Sequence, residues 1–239
     1  TGATGVGRHV MRAAADNLVP VTLELGGKSP TIVGRSADRK KAAERIALGK
    51  MMNAGQICLA PDYVMVPQEQ ESGFIDDLTE SVASLYPKLL ANDDYTSVIN
   101  GRNAERLAGY LNDAREKGAE LIEVNPAGED FFNSNGNKMP LTLLRNVTDD
   151  MAVMQEEIFG PILPVKTYHR IDEAIDYVNA HDRPLGLYYF GSDEAEEAQV
   201  LGQTMSGGVT VNDVLFHNAM EDLPFGGIGP SGMGTYHGV

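Results

Sequence analysis

ILPVKTYHRIDEAIDYVNAHDRPLGLYYFGSDEAEEAQVLGQTMSGGVTVN, residues 162–212, sets the architecture. Apolar, β-rich runs at 162–167, 184–191 and 208–212 alternate with helical patterns at 172–180 and 193–205. Strands joined through single helices return in the same direction, so the stretch predicts an α/β fold with a largely parallel sheet. The same rhythm continues outward. Phe74, Ile75, Leu78, Val82 and Leu85 mark one amphipathic helix, and Leu107, Leu111 and Ala114 mark another, from about 103 to 117, stopped by Gly118. Ser36 is the expected cap of a helix that turns Ile46, Ala47 and Met51 inward and Arg39, Lys40 and Lys41 outward. Strands are expected at 31–33, 63–66, 119–124 and 141–144, around a glycine- and asparagine-rich connection at 127–137. Residues 19–25 read as a buried strand with Glu24 near its carboxyl end, where α/β sheets collect ligands.

The 239 residues suffice for one large domain or two small ones. With 34 Asp and Glu against 19 Lys and Arg, the net charge is −15, which excludes the clustered positive charge that nucleic acid and anionic membrane surfaces require. A single cysteine rules out an intrachain disulfide and fits a reducing compartment such as the cytoplasm. No apolar run reaches the ~18 residues of a membrane span. The chain starts without Met, inside a glycine loop, and is expected to be a piece of a longer protein.

That loop, Thr1-Gly2-Ala3-Thr4-Gly5-Val6-Gly7, opens a helix with Val6, Val10, Met11 and Ala14 on one face. A glycine loop before a helix N-terminus is an anion site, but its spacing departs from the usual dinucleotide fingerprint, and a plain lead-in to a helix is the other reading. In Leu23-Glu24-Leu25-Gly26-Gly27-Lys28 a carboxylate interrupts an apolar run; Lys28 could be its ion partner. The one cysteine closes Asn53-Ala54-Gly55-Gln56-Ile57-Cys58. A lone Cys is most often a small buried apolar residue, whereas Gly55 and Gln56 offer close backbone approach and an amide. Glu156-Glu157-Ile158-Phe159-Gly160-Pro161 reads as a solvated helix end or as the rim of a site for hydroxyls and a flat ring. The glycine-rich 223–234 reads as a tightly wound loop, either near a site or simply at the surface.

Together, in order and spacing, residues 1–7, 23–28, 55–58, 156–161 and 224–227 resemble the aldehyde dehydrogenase superfamily across essentially the whole chain. Residues 229–238, Ala60-Pro61-Asp62-Tyr63, and Val211-Asn212-Asp213-Val214 followed by His217 resemble the branch of class 3, fatty aldehyde and coniferyl aldehyde dehydrogenases. The resemblance implies a three-layer catalytic domain at 27–227, a remnant of the dinucleotide-binding domain at 1–26, and a segment returning toward that domain at 228–239. It implies that Cys58 attacks an aldehyde, that the thiohemiacetal passes a hydride to NAD or NADP, and that Glu24 activates water to hydrolyse the thioester. A nearby base or dipole is expected to help ionise the thiol. The oxyanion would be met by the Cys58 N–H and by an Asn outside this chain.

Gly2, Ala3 and Gly7 match the family's pyrophosphate loop, with Ala3 where Ser is frequent. Leu25 matches a backbone contact to the nicotinamide, Glu157 holds ribose hydroxyls, and Phe159 packs near the ring. Phe225 and His217 would line the route of the substrate, an aromatic or medium-chain aldehyde. No metal is implied. The complete protein is expected to be a homo-oligomer, and the chain alone to have little turnover. The alternatives are a CoA-acylating relative, against which Glu24 argues, and a non-catalytic module of the same fold.

Overall fold

The computed structural model of the protein describes residues 1–131, 133–134 and 136–238. In chain order its elements are α1 (Thr4–Asn17), β1 (Leu23–Glu24), β2 (Pro30–Val33), α2 (Arg39–Met51), β3 (Tyr63–Pro67), α3 (Glu71–Leu85), α4 (Gly101–Glu116), β4 (Glu120–Val124), β5 (Leu141–Arg145), α5 (Ala152–Gln155), β6 (Ile162–Tyr168), α6 (Ile171–Asn179), β7 (Gly186–Phe190), α7 (Glu194–Gln203), β8 (Gly208–Val211) and β9 (Gly232–Met233). Seven strands form one sheet in the order β4-β5-β6-β3-β2-β7-β8. All neighbours are parallel except the edge pair β4 and β5. The expected α/β, largely parallel architecture is what the chain builds.

Side-chain alternation along the strands explains the three layers. Val64 and Val66 of β3, and Tyr188 and Phe190 of β7, enter one core with Ala43, Ile46 and Ala47 of α2 and Phe74, Leu78 and Val82 of α3. Tyr63 and Met65, and Leu187 and Tyr189, enter the opposite core with Leu107 and Ala114 of α4, Ala174 and Ile175 of α6 and Val200 of α7. Successive residues of a strand point to opposite faces, so strands apolar on both faces are the mark of a sheet covered on both sides. Among the described residues, no helix is long and apolar enough to cross a membrane.

Four local expectations are corrected. Residues 19–25 do not form a buried strand: only Leu23–Glu24 does, pairing antiparallel with β9, while Val19 is 53% exposed. Leu18 ends α1 in a left-handed conformation and turns the chain outward before the strand can start. In α1 the apolar face of Val6, Val10 and Met11 lies at the surface; Gly7 and Ala14 are the buried residues, with Gly7 against Leu25. Asp38, not Ser36, caps α2, accepting from the Lys41 N–H, whereas the Ser36 hydroxyl accepts from the N–H groups of Ser192 and Asp193. The connection at 127–137, described apart from Phe132 and Asn135, is tied down by Glu129, whose carboxylate accepts from the Leu89 and Leu90 N–H groups.

The fourth correction concerns the site itself. Glu24 lies in β1, outside the main sheet, and the segments carrying Gly26–Lys28, Cys58 and Glu157 immediately precede β2, β3 and β6. Because these strands are parallel neighbours, those segments gather at the amino ends of the strands, not at their carboxyl ends.

Candidate active site

The loop that presents Cys58 is built from left-handed residues. After α2, Asn53, Ala54 and Gly55 have φ of 51°, 52° and 72°. Glycine takes this conformation freely, Asn tolerates it, and Ala does not favour it. Gly55 also lets the Gly160 carbonyl oxygen approach where a Cβ would stand 2.5 Å from it. Gln56 locks the turn: its amide donates to the Asn53 and Ser97 carbonyls at 3.0 Å and its oxygen accepts from the Ile99 N–H at 2.9 Å. The Gln56 amide is therefore consumed in holding the loop.

Cys58 and Glu24 meet across this loop. Sγ lies 4.0 Å from Glu24 Oε1, at the outer limit of a thiol hydrogen bond, and Glu24 Oε2 accepts from the Thr1 hydroxyl at 2.8 Å. Burial, then the Glu24 and Glu157 charges, push the Cys58 thiol up to about 11, against the backbone N–H groups of Cys58 and Leu59, which favour the thiolate. Within this chain, burial and both carboxylates favour the protonated thiol over the thiolate.

A cleft of about 470 Å³ opens over the sulfur. Cys58, Glu24, Leu25, Gly26, Gly2, Ala3, Glu157 and Phe159 line it. Of the residues singled out in the sequence, Gly7, Phe225 and His217 lie outside it. Gly7 sits beneath Leu25, where a Cβ would be 2.7 Å from Leu25 Cδ1. Phe225 is buried, its ring 5.7 Å from that of His217 and 5.5 Å from that of Tyr236. His217 bonds Thr210 Oγ1 through Nδ1 at 2.8 Å, and its buried Nε2 has no hydrogen-bond partner among the described residues. Desolvation lowers the His217 pKa, favouring the neutral ring.

Glu157 rests directly on Gly26, where any Cβ would collide with its carboxylate. Burial raises its pKa to about 7, the Gly27 N–H opposing; Asp62 adds to the rise, and Lys28 and Arg106 oppose it. Phe159, 40% exposed, faces the cleft from a backbone with φ of 50°. Gly2 and Ala3 reach the cleft because Gly2 N–H donates to the Glu24 carbonyl at 3.1 Å and Thr4 Oγ1 donates to the Pro230 carbonyl at 2.9 Å. Ala3 precedes α1 with no side-chain cap, so the free N–H groups of the first turn remain for an anion.

A family model described as the aldehyde dehydrogenase family matches residues 1–239. The chain belongs to the aldehyde dehydrogenase family. It is 63% identical, over 100% of its length and 49% of the relative's, to a protein of Caulobacter vibrioides named probable coniferyl aldehyde dehydrogenase. Among solved structures it is similar to Staphylococcus aureus AldH in a substrate-bound state, with a TM-score of 0.90 and 43% identity over 99% of this chain and 50% of that one. It is also similar to a double mutant of betaine aldehyde dehydrogenase from Staphylococcus aureus in complex with NAD+, with a TM-score of 0.86 and 29% identity over 99% and 48%. The chain spans about half the length of the curated relatives it matches.

The sequence reading missed one wall of the cleft. Asn103, Arg106 and Tyr110 of α4 line it, and Arg106 Nη1 donates to the Glu157 carbonyl at 3.5 Å. Their spacing of three and four puts them on one helical face, a polar stripe running beside the buried Leu107 and Ala114. It missed Lys50 too, buried at 1% exposure and lowered to about 8 by desolvation, with Asp62 and Glu157 favouring its ammonium. Lys28 does not pair with Glu24 at all; its ammonium is bound to Asp62.

Proposed function

We propose that the complete protein carrying this chain oxidises an aldehyde to a carboxylic acid through a covalent adduct on Cys58, with NAD or NADP as acceptor. The observation that carries this reading is that Cys58, Glu24 and Glu157 share one cleft with the Gly2–Ala3 loop. The residues present suit a nicotinamide dinucleotide. Glu157 offers a carboxylate for ribose hydroxyls, the bare N-terminal turn of α1 and Arg106 offer positive potential for a diphosphate, and Gly26 keeps the floor free of side chain. When bound, such a cofactor supplies the hydride acceptor.

The chain's own residues do the rest. The Cys58 thiol gives its proton to solvent, the thiolate attacks the carbonyl carbon, and the N–H of Cys58 faces the developing oxyanion, which leaves Glu24 unprotonated for the later step. After hydride loss the thioester carbonyl lies beside Glu24, which draws a proton from water and directs the hydroxide to the acyl carbon. That carboxylate favours hydrolysis over acyl transfer to a thiol. In this reading Leu25 contributes a backbone contact, Phe159 packs on the nicotinamide, and Gly7 sets the height of α1 above Leu25. Phe225 and His217 back the aldehyde's approach, supported by their ring contact and by Phe225 lying in the core against which Cys58 packs. The substrate is an aromatic, coniferyl-like aldehyde, by similarity to the Caulobacter relative.

Residues 1–26 and 228–239 belong with a dinucleotide-binding domain supplied by the rest of the protein. Their mutual packing through β1 and β9 and the Leu25 N–H to Ser231 carbonyl bond of 3.0 Å supports this. The complete protein acts as a homo-oligomer in the cytoplasm, without nucleic-acid or membrane partners. The test is aldehyde-dependent NADH or NADPH formation by the complete protein, with Cys58→Ala as control; turnover that survives in the alanine variant would sink the reading.

A further inference from the structure

Glu157 is aimed by something, because its own segment is neither helix nor strand: α5 ends at Gln155 and β6 begins at Ile162. Its carboxylate must be held over the cleft by its neighbours. Both peptide groups that flank it converge on one ion pair, Lys28 and the buried Asp62. Asp62, 3% exposed, accepts the Ile158 N–H at 2.9 Å through Oδ1, and through Oδ2 it binds the Lys28 ammonium. Lys28 also donates to the Glu156 carbonyl at 2.9 Å and to the Val153 carbonyl at 2.8 Å. Thus the carbonyl before Glu157 and the amide after it are pinned to the same ion pair.

We propose that the Lys28–Asp62 pair is the positioning device for Glu157, fixing its carboxylate toward the cleft so that it can hold the cofactor's ribose. The inference rests on the cofactor reading of Glu157. A buried ion pair is by itself weak evidence for stability, since an apolar pair of the same volume serves as well. An apolar pair, however, could not satisfy the Ile158 N–H and the two carbonyls. These three bonds require polar side chains at positions 28 and 62, and the charges strengthen them. The two residues sit just before β2 and β3, neighbouring strands, so the clamp is as rigid as the sheet. Gly26, two residues before Lys28, supplies the bare floor on which the clamped carboxylate lies. Arg106 holds the Glu157 carbonyl from the α4 side.

A double-mutant cycle in the complete protein tests this, with the dissociation constant for NAD+ read for wild type, Asp62→Ala, Glu157→Gln and the double variant. Asp62→Ala is expected to weaken NAD+ binding about tenfold, with kcat at saturating cofactor nearly kept, and to cost nothing further in the Glu157→Gln background. Asp62→Asn, which keeps an oxygen for the Ile158 N–H, recovers part of the loss. An equal loss in both backgrounds, or no loss from Asp62→Ala, overturns the proposal. If Asp62→Ala does not fold, Lys28→Gln carries the same comparison. Wild-type protein that fails to bind NAD+, or Glu157→Gln that binds it normally, sinks the cofactor reading instead. The clamp is then judged by amide exchange at Ile158, which must quicken at least tenfold in the variant; unchanged exchange overturns it.

Discussion

At Cys58, burial and two carboxylates act in one direction, holding the thiol up to about 11, so the sulfur waits as SH and is ionised only on demand. In the cofactor-free complete protein, iodoacetamide should therefore alkylate Cys58 on the order of tenfold more slowly than a model thiol at pH 8, because the smaller thiolate fraction outweighs its greater nucleophilicity. Removing the Glu24 charge relieves part of that restraint. Glu24→Gln should speed alkylation several-fold while steady-state turnover falls by on the order of 10²–10⁴. Slower alkylation in that variant would mean that Glu24 ionises the resting thiol, contrary to the geometry proposed. Glu157 gives the pH dependence. Its burial raises its pKa to about 7, so the proton-bound form dominates below that pH, whereas ribose hydroxyls bond best to the carboxylate. NAD+ affinity should rise as pH increases through about 7, with a proton released on binding in that window. Calorimetry in buffers of different ionisation enthalpy checks this; Glu157→Gln should abolish both effects.

At the scale of the element, the left-handed turn after α2 decides where the sulfur stands. Gly55→Ala meets both a φ of 72° and the Gly160 oxygen at 2.5 Å, and should destabilise the protein by about 3 kcal/mol, seen as a fall in Tm with turnover lost in proportion to the displaced Cys58. The apolar rhythm of 162–212 made β6, α6, β7, α7 and β8 legible, because strands buried on both faces leave no room for polar residues. The Cys58, Glu24 and Glu157 segments were legible as motifs. Their convergence at the amino ends of β2, β3 and β6 was not, since sequence shows neither strand order nor which end of a sheet a loop occupies. Ser36 misled because Ser and Asp compete as caps and the choice depends on Ser192, more than 150 residues away. Arg106 was hidden for a related reason: on an amphipathic helix, a polar stripe facing a cleft has the same pattern as one facing water.

Over the whole molecule, one sheet with two covered faces carries the Cys58 and Glu157 segments, β1 brings Glu24 to them from outside that sheet, and α1 keeps Val6, Val10 and Met11 at the surface. The chain spans about half of its relatives' length, and Gly2, Ala3, Leu25, Glu157 and Phe159, proposed to meet the cofactor, line one cleft. Aldehyde-dependent NADH formation by residues 1–239 alone should fall at least two orders of magnitude below that of the complete protein, because positioning of the cofactor is lost. The central claim is that Cys58 carries the acyl group and Glu24 releases it. The most direct measurement is the mass of the Cys58 peptide from complete Glu24→Gln protein, quenched after mixing with NAD+ and an aromatic aldehyde such as benzaldehyde. The account predicts one acyl adduct on Cys58 together with a burst of about one NADH per site. An unmodified Cys58, with NADH still accumulating, would contradict it.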